Sequence, residues 1–117
     1  MKPKLESAYI CVQNMERAVD FYQWFLKRKA EKLKESFYLF KIDSFRLFLF
    51  EYGLENEEVT YGDNCLLSFE VENAPQLIQT MKNKGIEIVF PLEKIIDNHV
   101  FEFVDPEGNH IEVFSRI

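Results

Sequence analysis

The feature that most narrows the folds open to this chain is a pattern written twice. A strand-like run closes at Val12, two residues ahead of Asn14, and a helical stripe follows. A second run closes at Val71, two residues ahead of Asn73, and a helical stripe follows again. Both pairs are separated by 59 residues, half of a 117-residue chain. An asparagine in front of a helix accepts a hydrogen bond from an amide of the first turn, so each Asn marks a helix start. Repetition at this spacing makes two copies of one supersecondary unit more economical than an unrelated series of elements.

In the first copy, Glu6 to Val12 alternates as a strand. Met15, Ala18, Val19, Tyr22, Phe25 and Leu26 then recur at helical spacing, which predicts a helix to about Lys29. Two aromatic strands follow, Ser36–Ile42 and Phe45–Tyr52, with Asp43-Ser44 as their hairpin turn. The acidic stretch Gly53–Asn64, carrying Glu55, Glu57 and Glu58, reads as a linker. The second copy opens with a strand over Cys65–Val71. Pro75 then lies in the first helical turn, where its missing N–H is harmless, and Leu77, Ile78 and Met81 form the helix stripe. Gly85 supplies the stop, and strands are expected at Glu87–Phe90, His99–Val104 and His110–Phe114. Each half is expected to be a small sheet with one helix on one face. The other face then needs a cover: the other half, a second subunit or a ligand.

The last two strands hold the clearest local chemistry. Asp105-Pro106-Glu107-Gly108 is a turn, with proline fixing φ and glycine accepting φ > 0. Alternation past that turn puts His110, Glu112 and Phe114 on one face and Ile111 and Val113 on the other. A core on one side and a lined cleft on the other is the expectation.

Composition removes several classes of function. A net charge of −6 argues against nucleic acid, which demands a basic patch. The one basic cluster, Lys27-Arg28-Lys29 with Lys32 and Lys34, is interleaved with Glu31 and Glu35 and reads as a solvated face. Twelve Phe and five Tyr suit strands and an aromatic-walled cavity. Cys11 and Cys65 lie in apolar strand runs without metal-ligand spacing, so reduced thiols are expected. No apolar leader or run of about 18 apolar residues is present, and a cytoplasmic protein without a membrane partner is expected.

Two segments carry a resemblance. Val12-Gln-Asn-Met-Glu-Arg-Ala-Val-Asp-Phe-Tyr22 and Phe101-Glu-Phe-Val-Asp-Pro-Glu-Gly-Asn-His-Ile-Glu112 resemble the strand-to-helix and terminal-hairpin signatures of the vicinal oxygen chelate superfamily. That superfamily includes glyoxalase I, extradiol dioxygenases, and fosfomycin- and bleomycin-resistance proteins. The resemblance implies an α+β fold of tandem βαβββ modules, forming a cleft-bearing curved mixed sheet with helices on the outer face. It implies a single domain over 1–117, with modules at about 1–53 and 65–117 and a linker at 54–64. The chain has Leu26-Lys27 where the family often has Leu-Gly.

The family's metal enzymes place four ligands in the cleft. Alignment puts those positions at Ser7, Leu49, Leu66 and Glu112. Leucine has no donor atom and a serine hydroxyl is a weak ligand, so no metal or other cofactor is expected. An altered metal site, built from His99, His110 and Glu112, is the alternative that would make the chain a glyoxalase- or dioxygenase-type enzyme. The expected ligand-binding residues are Tyr9, Glu51, Glu70, His99, His110 and Glu112. Leucine walls, Tyr9 and rim carboxylates favour an aromatic or cationic small molecule. The first expectation is therefore a metal-independent binding protein, leaning away from an enzyme; a regulatory or scaffold module is the third reading. A homodimer is expected, because each half is too small to cover both faces of its own sheet.

Overall fold

The computed structural model describes residue 2, residues 6–56 and residues 66–117. Two compact units divide the chain, at residues 1–60 and 61–117, and both have the same element order. In the first, strand β1 (Ser7–Val12) leads into helix α1 (Met15–Leu26), then strands β2 (Glu31–Lys34), β3 (Phe37–Ile42) and β4 (Phe45–Glu51). The four strands lie in the order β1-β4-β3-β2, with β1 parallel to β4 and the other pairs antiparallel. In the second, strand β5 (Leu67–Glu70) leads into helix α2 (Ala74–Asn83), then strands β6 (Ile88–Ile95), β7 (Asn98–Val104) and β8 (His110–Arg116). Their order is β5-β8-β7-β6, again with one parallel pair, β5 and β8. The fold is α+β, with two βαβββ units as the repeat implied. Among the described residues no helix is long and apolar enough to cross a membrane.

Both helices start as the paired asparagines require. Asn14 Oδ1 accepts from the Arg17 N–H at 3.0 Å, and Asn73 Oδ1 accepts from the Gln76 N–H at 3.0 Å. Helix α2 ends in a Schellman motif: Gly85, at φ +77, donates to the Lys82 carbonyl, and Ile86 donates to the Met81 carbonyl. The α1 terminus departs from expectation. It stops at Leu26 rather than near Lys29, because Lys27 takes the left-handed conformation (φ 56, ψ 41) that glycine adopts more cheaply. The glycine common in the family at this point therefore has a physical reason, and this chain does without it. Lys27 Nζ lies 4.8 Å from the Trp24 ring centroid, a cation–π contact that offsets part of the cost.

Two strands differ from the sequence reading. All four residues of β2 are exposed, so there is no apolar period to reveal it. Strand β6 continues past Phe90 to Ile95 through Pro91, which its edge position tolerates, and its pairing with β7 shifts register twice. The linker begins with a 3₁₀ turn, Tyr52–Glu55; its remainder, 57–64, and Cys65 lie outside the described residues.

Each core lies between helix and sheet. Met15, Ala18 and Tyr22 of α1 are buried, as are Ile10, Val12, Phe40, Leu47 and Leu49 of the sheet. Ala74, Ile78 and Met81 of α2 are buried in the same way, with Phe101, Phe103, Ile111 and Val113. Every fully buried Phe, Leu or Ile here contributes roughly 1.5–3 kcal/mol.

The β7–β8 turn is held by one buried carboxylate. Asp105 Oδ1 accepts from the Glu107 N–H at 2.9 Å and the Asn109 N–H at 2.8 Å, while Oδ2 accepts from the Asn109 side-chain amide at 3.0 Å. Gly108 has φ +89, and a Cβ added there meets nothing within 4 Å. Strain rather than collision would therefore govern a substitution. Gly108→Val is expected to destabilise by about 1–3 kcal/mol; an unchanged urea midpoint would contradict the assigned turn.

A second clasp follows β4. The buried Ser36 hydroxyl donates to Glu55 Oε1 at 2.6 Å, and Lys34 Nζ lies 2.9 Å from the same oxygen. The Ser36 hydroxyl first, and Lys34 second, hold the Glu55 carboxyl below its ordinary value. A depressed folded value means the clasp is fully formed above the unfolded value and weakens as pH falls through the folded one. Ser36→Ala should raise the Glu55 titration midpoint measured by carboxyl NMR, and an unmoved midpoint would remove Ser36 as the main cause.

Candidate functional site

Register assigns every strand residue to the helix side or to the helix-free side of its sheet. In β8, Ile111, Val113 and Ser115 are buried, while His110, Glu112, Phe114 and Arg116 take the opposite face. Ser115 identifies the helix side directly, since its Oγ accepts from the Ala74 N–H, the first amide of α2, at 2.9 Å. In the first unit the helix side is identified by Glu51, whose Oε1 accepts from the Met15 N–H, the first amide of α1, at 2.8 Å. Glu51 thus serves the helix terminus, where a carboxylate meets unpaired N–H groups and a favourable dipole. Glu51 shares the helix side with Leu47 and Leu49, as alternation predicts, and does not face the helix-free side.

The same register corrects Leu49. It pairs with Ile10, is 0% exposed and belongs to the helix-side core. The helix-free side of β4 carries Arg46, Phe48 and Phe50 instead, paired with Ser7, Tyr9 and Cys11 of β1. In the second unit Ser68 pairs with Glu112 in the way that Tyr9 pairs with Phe48 in the first, and Tyr9 and Ser68 are themselves 59 residues apart. The structural counterpart of Glu112 is therefore Phe48. Substituting Phe48 for Leu49 leaves the set of family ligand positions as Ser7, Phe48, Leu66 and Glu112: one carboxylate, one hydroxyl and two side chains without a donor. This set does not fit a divalent transition metal.

The histidines are separated. His99 pairs with Ser115 and shares the helix side with Phe101 and Phe103, whereas His110 pairs with Val104 on the helix-free side. The alternative site joining His99 to His110 and Glu112 would need side chains from both faces of one sheet. Among the described residues, no three His, Cys, Asp or Glu side chains are placed to hold a metal ion.

On the helix-free face of the second unit, the Ser68 hydroxyl donates a hydrogen bond to Glu112 Oε2. Glu70 is on the same face and is ion-paired with Arg116, at 3.0 Å from Nε. A residue absent from the sequence reading completes this surface: Glu102 lies directly across from Glu112 on β7. The turn already contained the signal, since pairing Val104 with His110 dictates pairing 102 with 112. Among the described residues neither Glu102 nor Glu112 has a cationic partner.

The helix-free face of the first unit has another character. Tyr9, 59% exposed, meets Phe48 edge-on at 4.9 Å and Phe37 edge-on at 5.5 Å between centroids. Phe37 and Phe48 stack at 4.8 Å, and Phe50 meets Phe37 at 5.8 Å. Arg46 lies over Phe48, 5.2 Å from its centroid, and forms a two-pronged ion pair with Glu6 whose Nη2–Oε2 contact is 2.9 Å. Leu66, another family ligand position, is 42% exposed.

The family profile of the glyoxalase-like domain matches residues 5–117. No curated protein sequence matches the chain. Among solved structures, a glyoxalase/bleomycin resistance protein/dioxygenase family enzyme from Burkholderia phytofirmans PsJN superposes with a TM-score of 0.81 at 15% identity, covering 98% of this chain and 100% of that one. A glyoxalase/bleomycin resistance protein/dioxygenase from Nocardioides gives 0.73 at 17% identity, covering 100% and 85%. A protein of unknown function from Agrobacterium tumefaciens strain C58 gives 0.72 at 26% identity, covering 100% and 97%. With the repeated βαβββ units, the terminal hairpin and a profile match over nearly its whole length, the chain belongs to the glyoxalase-like domain family of the vicinal oxygen chelate superfamily.

Proposed function

We propose that this chain is a small-molecule-binding protein of the glyoxalase/bleomycin-resistance type, working without a bound metal and holding its ligand against the helix-free sheet faces. The observation that supports this most is the donor set. Of the four positions that metal enzymes of the family use, Glu112 alone carries a strong ligand, and a single carboxylate does not retain a transition metal against water. What remains at these positions is apolar and aromatic surface beside acceptor groups.

The ligand class follows from those acceptors. Glu102 and Glu112 face each other across β7 and β8 and only accept hydrogen bonds when ionised. A ligand that donates hydrogen bonds or carries positive charge relieves their mutual repulsion, and an anion adds to it. The net charge of −6 disfavours anions at longer range too. Aromatic or cationic compounds are therefore the preferred class.

Two measurements test this reading. Protein purified without chelator should contain well under one equivalent of Zn, Ni, Fe or Mn; a stoichiometric metal that disappears in Glu112→Gln would overturn the metal-free reading. In a thermal-shift series, cationic aromatic amines near 100-fold above their Kd should stabilise by about 2.7 kcal/mol. Glu112→Gln should reduce that gain. Preferential stabilisation by phosphonate or carboxylate compounds would reverse the assigned ligand class.

A further inference from the structure

The two units are internal controls for each other, and they differ where the fold does not require it. Register equates Tyr9 with Ser68, Phe48 with Glu112, Phe50 with Phe114, and Phe37 with Val100. In the second unit, a sheet with the same strand order and the same helix tie carries Ser, Glu, Phe and Val at these positions. A βαβββ unit therefore stands without an aromatic cluster on its helix-free face. The first unit nevertheless keeps four rings there, all linked through Phe37, with Tyr9 59% exposed.

We propose that this cluster is a stacking platform for a planar aromatic ring that carries no negative charge; the proposal rests on the small-molecule-binding reading above and names where on the first unit the ring is held. Tyr9 is the contact residue. Its two edge-on neighbours fix the plane of its ring, so little side-chain freedom remains to be lost when a ligand stacks on it. Phe48, 5% exposed, lies beneath as a packed floor.

Charge selects the occupant. The guanidinium of Arg46, the cation in contact with the cluster, is already matched by Glu6, and the more distant charge of Lys41 is partly offset by Glu31 at 3.8 Å. Aromatic faces present negative quadrupole to a ligand and attract a delocalised cation as readily as a neutral ring. A flat, neutral or cationic heteroaromatic group satisfies both conditions. An aliphatic cation of the same size satisfies only the charge condition.

The test uses the full chain with N-methylquinolinium as the flat probe and N,N-dimethyldecahydroquinolinium as its saturated counterpart, titrated by NMR. N-methylquinolinium is expected to bind more tightly and to shift the ring resonances of Phe37 and Phe48. Tyr9→Phe should bind within about twofold of the native chain, and Tyr9→Leu roughly tenfold more weakly. Tyr9 is an exposed site, so both variants should fold, and an unchanged amide spectrum elsewhere checks this. Native-like affinity in Tyr9→Leu overturns the platform. So does binding that Glu112→Gln weakens and Tyr9→Leu does not, an outcome that leaves the small-molecule reading standing. Failure of both compounds to bind the native chain overturns the platform and the reading it rests on together.

Discussion

In both units a side-chain oxygen from the last strand accepts the first amide hydrogen of the helix. Glu51 does this for Met15, and Ser115 for Ala74. The first-turn amides of a helix have no partner within the helix, so each such acceptor fixes where the helix starts against the sheet. The Asn cap in the loop takes the third amide; the strand takes the first. Helix, capping loop and last strand are thereby locked as one piece. The lock also sets the site. Phe48 and Glu112 lie three residues before their respective ties, an odd spacing, so clamping one face of the strand aims them from the other.

Sequence periodicity exposes this arrangement only in part. The Asn caps, the 59-residue repeat, Gly85 and the Asp105–Gly108 turn were legible because each has a local backbone requirement that few residues meet. The faces of β4 were not. Leu47, Phe48 and Leu49 are all buried, so apolar and polar residues do not alternate, and only the parallel pairing with β1 shows that Leu49 faces the helix. The side taken by His99 was hidden for a related reason: it is set by pairing across the hairpin with Ser115, not by its immediate neighbours. The tie of Glu51 to α1 was not legible either, because a helix-terminal acceptor 36 positions from its donor leaves no local trace. Strand β2, exposed throughout, carried no hydrophobic signal to read.

The two units also show how one scaffold supports divergent surfaces. Helix-side positions carry the same duty in both: aliphatic and aromatic side chains that meet a helix stripe. Helix-free positions have separated, toward rings in the first unit and toward carboxylates in the second. Because alternation assigns successive residues to opposite faces, one face can change its chemistry while the packing of the other is left intact. Function in such a fold is written at every second residue.

Glu102 and Glu112 show how far that freedom extends. Like charges placed directly opposite on neighbouring strands weaken a sheet, by roughly 0.2–1 kcal/mol per pair. Here the pair is retained in the two most central strands of the second sheet, where an opposite-charge or Thr–Thr pairing would fold better. The unit is locally frustrated at this point, and folding alone gives no account of why. On the reading proposed above, the small cost of the pair to the sheet would be returned as binding energy when a positive group is seated between the two carboxylates.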